Sequence, residues 1–385
     1  MKKVWKILSY VLVAALASAV TFGVASFTGS DGTEYKLEQL ADLIEERFIG
    51  EADRTEMEDA AAAAMVGSLD DQWSYYIAAE DYAAHAEQMN NAYVGISITI
   101  QVMEDESGIQ VIKVNEGGPA EEAGILVEDV IVAVDGQRIA GMSTTDVRNL
   151  VRGEEGTPVV ITVLRGGEEI ELSVTRKQVQ TPVAVGQLLD DSIGLVTITN
   201  FDSRCADETI AAIEALLEQG AEALIFDVRY NPGGYKHELV KVLDYLLPEG
   251  PLFRSEDYKG EVSVDESDAD CLEIPMAVLV NGDSYSAAEF FAAALSEYGV
   301  AVVVGEQTCG KGYFQQTYQL IDGSAVGLSV GKYSTPNGVN LAGVGITPDV
   351  VVEVDEDTAA KIYAGTLDPV EDPQIQAAVE ALKTE

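Results

Sequence analysis

Two short apolar runs constrain this chain most, because each ends abruptly at a turn and gives way to a helical pattern. Ala223–Val228 breaks at Asn231-Pro232-Gly233-Gly234, and a helical stretch follows from Lys236 to Leu247. Met276–Val280 breaks at Asn281-Gly282-Asp283, with Ala287–Glu297 as the following helix. Apolar runs of five or six residues bounded by Gly and Asn read as strands. Ile193–Ile198 and Val300–Val304 are further strand candidates, and Asp207–Gln219 is an amphipathic helix. Residues 179–355 therefore read as a mixed α/β domain in which two strand–turn–helix units face a common sheet edge.

The rest of the chain has a different texture, and 385 residues are enough for two or three cores. Lys2, Lys3 and Lys6 precede an uncharged apolar run from Ile7 to about Phe27, long enough at ~1.5 Å per residue to cross a bilayer core of ~30 Å. Residues 1–29 read as a signal anchor or signal peptide. Ala15, Ala17 and Ala19 offer a cleavage site, but the run continues past them, which favours the anchor. Basic residues on the N-terminal flank place everything after Gly29 outside the cytoplasm, with a secreted protein as the alternative if the segment is cleaved. Residues 35–91 carry Leu37, Leu40, Leu43, Ile44 and Phe48 at helical spacing and form a helical N-terminal subdomain suited to packing or to homodimer formation. Residues 92–178 alternate short β-rich runs with Gly turns, and 356–385 are a tail with a short helix. The fold class is thus multidomain α+β behind an N-terminal transmembrane segment.

Charge removes one class of partner. With 23 Lys+Arg against 66 Asp+Glu, the net charge of −43 repels a phosphate backbone, so no nucleic acid is expected. Cys205, Cys271 and Cys309 allow at most one internal disulfide, and with only His85 and His237 as histidines no metal cluster and no cofactor are expected.

The junction Asn281-Gly-Asp-Ser-Tyr-Ser286-Ala-Ala-Glu puts a hydroxyl where a buried strand hands over to a helix. Unpaired N–H groups and the helix dipole favour developing negative charge there, and the Ala287 amide is the nearest donor. A serine so placed is by itself an ordinary helix cap. Beyond the next strand, Gly305-Glu-Gln-Thr-Cys-Gly-Lys311-Gly presents a lysine between glycines. Burial lowers the pKa of such an amine toward the neutral form that a base needs, and serine with a desolvated lysine is a known nucleophile–base pair.

These segments resemble the carboxyl-terminal processing serine peptidases, or tail-specific proteases, which join a PDZ domain to a Ser-Lys catalytic domain. The resemblance runs from about Leu37 to the tail, and 25 positions separate Ser286 from Lys311, as in that family, with Gln315 four further on. It implies that Ser286 attacks a peptide carbonyl, that Lys311 takes and returns the proton, and that Gln315 orients Lys311. It also implies an oxyanion hole made by Ala287 with Gly233 or Gly234, the sequence leaving open which glycine points inward. Tyr93-Val94-Gly95-Ile96 resembles a PDZ carboxylate-binding loop, which implies substrates that are proteins or peptides with accessible C-termini. Tyr333-Ser-Thr-Pro336 and Gly343-Val-Gly345-Ile-Thr-Pro348 match family strands and turns near the site. Two positions depart from the family pattern: Cys309 stands where relatives carry an aromatic residue, and Tyr285 where they carry a small one. A Cys309 nucleophile and a Ser286–His237 pair are the weaker chemical alternatives. A PDZ scaffold with an inert protease domain, or a plain membrane anchor for a partner, are the alternatives outside catalysis.

Overall fold

The computed structural model describes residues 34–89, 91–103, 108–115 and 117–383. The apolar run of residues 7–27 lies outside them, and no helix among the described residues is long and apolar enough to cross a membrane.

Two helices, α1 (Glu34–Arg47) and α2 (Arg54–Gly67), come first among the described residues and are followed by a short strand, β1 (Tyr75–Ile77), and α3 (Ala79–Met89). Asp53 caps α2 by accepting the Glu56 N–H. Helical periodicity does not disclose β1, which hydrogen-bonds across the whole chain to the strand at 325–327.

The β-rich module follows. A two-stranded stem, β2 (Ala92–Gly95) with β9 (Lys177–Gln180), closes it. Within lie β3 (Ile98–Val102), β4 (Ile109–Val114), α4 (Pro119–Glu122), β5 (Val130–Val134), β6 (Gln137–Arg138), α5 (Thr144–Val151), β7 (Pro158–Arg165) and β8 (Glu168–Thr175). Their sheet runs β3-β4-β5-β7-β8 with β6 beside β5, over a core that includes Ile109, Ile131, Val147, Ile161 and Val174. The sequence suggests one continuous run from Gly95 to Ile100. The chain instead breaks at Ser97, whose φ of 64° ends β2 and starts β3 in a new direction.

The third unit is built on a six-stranded sheet in the order β10-β11-β12-β15-β16-β19. In chain order its elements are β10 (Ala184–Leu188), β11 (Ile193–Ile198), α6 (Cys205–Glu218), β12 (Ala223–Asp227), α7 (Lys236–Leu246), β13 (Gly250–Asp257), β14 (Val262–Ser267), β15 (Met276–Val280), α8 (Ala287–Glu297), β16 (Ala301–Gly305), β17 (Tyr313–Gln319), β18 (Ala325–Ser334), β19 (Val350–Val351), α9 (Glu356–Tyr363) and α10 (Pro373–Leu382). From β11 to β19 the strands are parallel, and the period of two divides each central strand between two cores. Leu224, Phe226, Met276, Val278 and Val280 face α6, α7 and α8, whereas Ile225, Ala277 and Leu279 face α10. Burial on both faces is why those runs carry no polar alternation.

α10 corrects the reading of 356–385 as a tail. Ile375, Ala378, Val379 and Leu382 close the second face of the sheet, and Arg229 pairs with Asp372 just ahead of that helix at 2.9 Å. A second, antiparallel sheet of β1, β18, β13 and β14, with β17 paired to β18, stands beside the first. All three cysteines are free.

Candidate active site

β12 and β15 are adjacent and parallel, so the turns that follow them leave the sheet at the same edge. Side chains and amides from each stitch the two together. Asn281 Oδ1 accepts the Tyr230 N–H at 2.9 Å, Ser284 Oγ donates to Val228 O at 2.8 Å, and Tyr285 N–H donates to Asn231 O at 3.1 Å. Ser286 then caps α8 with φ 60° and ψ −121°, a conformation that costs a non-glycine residue roughly 1–3 kcal/mol. Surrounding contacts hold the strain, and the serine is partly exposed at the helix N-terminus.

The Gly-Gly turn lies directly against it. A Cβ placed on Gly233, whose φ is 91°, would lie 2.7 Å from Ser286 Cβ and 2.8 Å from Ala287 N. Only glycine fits there. The Gly233 N–H is taken by Asn231 Oδ1 at 2.8 Å, which removes it as a donor to an oxyanion. The Gly233 carbonyl accepts the Phe201 N–H at 2.8 Å, and in a trans peptide the Gly234 N–H points the opposite way. Among the described residues neither the Gly234 nor the Ala287 N–H has an acceptor. These two amides are the donors left over.

A residue that the sequence reading passed over joins the serine to the lysine. Glu289 is fully buried on the first turn of α8. Its Oε2 accepts the N–H of Ser286 at 3.2 Å and of Lys311 at 2.9 Å, while Oε1 accepts Thr308 Oγ1 and the Gly310 N–H, both at 2.6 Å. One carboxylate thus holds both halves of the site. Its signal was present in the sequence: Ser286-x-x-Glu289 is a capping-box spacing.

Lys311 Nζ lies 4.8 Å from the ring centre of Trp73 and 5.9 Å from that of Tyr285. Burial is the largest influence on this amine and brings it down to about 8, against Cys309, Glu289 and Asp71, which favour its charged form. No hydrogen bond among the described residues joins Nζ to Ser286 Oγ directly. Tyr333, buried between them, donates its hydroxyl to Lys311 O and lies against the Ser286 side chain.

Gln315 requires a correction. Among the described residues no hydrogen bond joins its carboxamide to Lys311; Nε2 donates to Ser329 Oγ at 3.0 Å and Tyr313 O at 3.2 Å. A register shift between Phe314 and Gln315 interrupts the β17–β18 pairing at this point. His237 is largely exposed, stacked on Tyr235 and beside Glu238, so it forms no pair with Ser286. Burial pushes the Cys309 thiol up, away from the thiolate a nucleophile needs.

The β-rich module has a groove of about 270 Å³ between β3 and α5, lined by Tyr93, Gly95, Ile96, Ile98, Ile131 and Val147 among others. Val94 is not in its lining. The ring of Tyr93 lies on Gly95, and the Ile96 and Ser97 N–H groups have no acceptor among the described residues.

Comparison with known proteins decides the family. The profile of peptidase family S41 matches residues 192–352, and that of the PDZ domain matches residues 110–165. Carboxy-terminal processing protease CtpA of Bacillus subtilis (strain 168) is 33% identical over 368 residues, which cover 92% of this chain and 78% of the relative. The chain belongs to peptidase family S41. A Staphylococcus aureus (strain N315) protein described as "Probable CtpA-like serine protease" is 30% identical over 378 residues, covering 94% of this chain and 76% of that one. Among solved structures, a photosystem II D1 C-terminal processing protease matches with a TM-score of 0.49 and 28% identity, over 91% of this chain and 94% of that chain. This S41 peptidase is therefore a member of the carboxy-terminal processing serine protease group, with a PDZ domain ahead of a mixed α/β protease fold.

Proposed function

We propose that this S41 peptidase hydrolyses peptide bonds with a Ser286–Lys311 pair. The observation that carries the reading is the shared carboxylate, Glu289, which receives the backbone N–H of both residues. Neutral Lys311 Nζ takes the Ser286 Oγ–H proton as Oγ bonds to the carbonyl carbon, and the oxyanion rests on the Ala287 and Gly234 amides. Collapse breaks the C–N bond, with the proton passing from Nζ to the leaving amine. Water then repeats the cycle on the acyl-enzyme: its oxygen bonds to the acyl carbon as Nζ takes its proton, the ester C–O bond breaks, and Nζ returns the proton to Ser286 Oγ.

The PDZ groove selects the substrate. A C-terminal carboxylate fits the unpaired Ile96 and Ser97 amides, and an apolar last side chain fits against Ile98 and Ile131. One experiment tests both parts: kcat/KM against pH for a peptide with a free C-terminus and for its C-terminal amide. Because the base must be neutral, kcat/KM rises with pH through a midpoint near 8. Amidation raises KM roughly tenfold or more, as loss of a charge-assisted contact demands. A rate that is flat between pH 6 and pH 9, or equal KM for the two peptides, would contradict the respective part.

The lysine-flanked run at 7–27 supports a single-pass anchor with the catalytic part outside the cytoplasm. Exposed Leu37, Leu40, Leu43 and Met65 on α1 and α2 leave an apolar face that a second copy would cover. Cell fractionation should place the protein in the membrane, digestible from outside, and light scattering of the detergent-extracted chain should give the mass of a dimer. Recovery in the cytosol would refute the anchor, and a monomer at micromolar concentration the dimer.

A further inference from the structure

The dry surroundings of Lys311 come in part from a segment far away in the chain. Trp73 belongs to the loop between α2 and β1, and its ring and that of Tyr285, 5.9 Å apart, both lie beside the lysine amine. The loop is anchored on both sides. Asp71 accepts the Trp73 N–H at 3.1 Å and Ser74 Oγ at 2.6 Å, and Ser74 Oγ accepts the Ser329 N–H of β18 at 3.1 Å. Burial works against the Asp71 carboxylate, yet the Ser74 and Ser329 hydroxyls and the loop amides hold it below the usual range. Ser329 is also the residue that Gln315 contacts, so Gln315 supports this loop instead of the lysine. β1 itself is paired with β18.

We propose that Trp73 is a positioning residue of the peptidase: it is the wall of the pocket that keeps water from the Lys311 amine, so the N-terminal subdomain completes the active site. The proposal rests on Lys311 being the base. Of the groups that face the amine, Cys309, Glu289 and Asp71 all favour its charged form, and only burial opposes them. Tyr333 contributes a bond to the Lys311 carbonyl and none to Nζ. An aromatic face attracts an ammonium as well as excluding water, and these effects act in opposite directions. Burial is the largest influence on the amine and brings it from 10.5 down to about 8, and the Trp73 ring 4.8 Å away is part of that burial. Trp73 is itself only partly buried, so its replacement opens a path to solvent.

Competitive acetylation of the full chain as a function of pH, with modification of Lys311 read by mass spectrometry, measures the midpoint directly. Trp73→Ala should raise that midpoint by about one unit or more and move the acidic limb of kcat/KM with it. Trp73→Leu, apolar but without a π face, should stay within about 0.3 units of wild type. A Trp73→Ala midpoint unchanged or lowered overturns the proposal. If that variant fails to fold, Trp73→Gln, which is polar and smaller than the ring and so admits water, is read the same way. Failure of the Ser–Lys reading shows separately, as Lys311→Met retaining activity whatever the Trp73 titration does.

Discussion

Ser286→Ala is expected to lower kcat by a factor on the order of 10⁴–10⁶ while leaving the melting temperature within a degree or two of wild type. Loss of the nucleophile removes the covalent route altogether. Little stability is at stake, because the Ser286 backbone, not its hydroxyl, supplies the bond to Glu289. Alanine inherits the φ of 60° and its strain, so the substitution brings no relief; glycine would, and Ser286→Gly should melt higher while equally inactive. Lys311→Met should match the alanine variant in rate, since its backbone N–H to Glu289 also survives. Turnover of a peptide by purified Ser286→Ala above about 1% of wild type would end the Ser286 assignment.

Glu289→Ala should behave quite differently, losing activity and stability together. The variant leaves the N–H groups of Ser286, Gly310 and Lys311 and the Thr308 hydroxyl without their acceptor in a closed interior. Orphaned buried donors cost ~1–3 kcal/mol each, so a total of roughly 3–5 kcal/mol is expected once water partly repairs the site. With its tether gone the 308–311 loop no longer holds Lys311 at Ser286, and kcat/KM should fall by about 10² or more. Glu289→Gln keeps the shape but turns an N–H₂ toward donors, and should melt between the two. Calorimetry beside a peptidase assay separates the outcomes. A Glu289→Ala protein with wild-type melting and more than a third of the activity would show that the carboxylate does not hold the site.

Some of this is legible in the amino-acid sequence. β11, β15 and α8 fall where the sequence reading put them, Ile193–Ile198, Met276–Val280 and Ala287–Glu297, because a strand buried on both faces must be apolar throughout and its end is marked by Asn and Gly. The second sheet was harder to see. In β17 the run Tyr-Phe-Gln-Gln-Thr-Tyr-Gln is mostly exposed, so no burial enforces a hydrophobic alternation that could be read. Among the site residues, Ser286 and Lys311 stood out through their glycines and spacing. Glu289 carried only a capping signal, which hid its second role of holding Lys311.

What the amino-acid order determined by itself was local: which runs are strands, where each breaks, and that a serine and a lysine sit on consecutive strand ends. Tertiary structure alone decided which groups surround them. Gly233 gave up its N–H to Asn231, Gln315 turned to Ser329, α10 became the second cover of the sheet, and Trp73 came to lie on Lys311 from more than two hundred residues upstream. The reason is physical. A strand, a cap or a turn is set by neighbours within a few residues, whereas the dryness that lowers a lysine pKa is a property of everything packed around it, and that packing exists only once the distant segments have met.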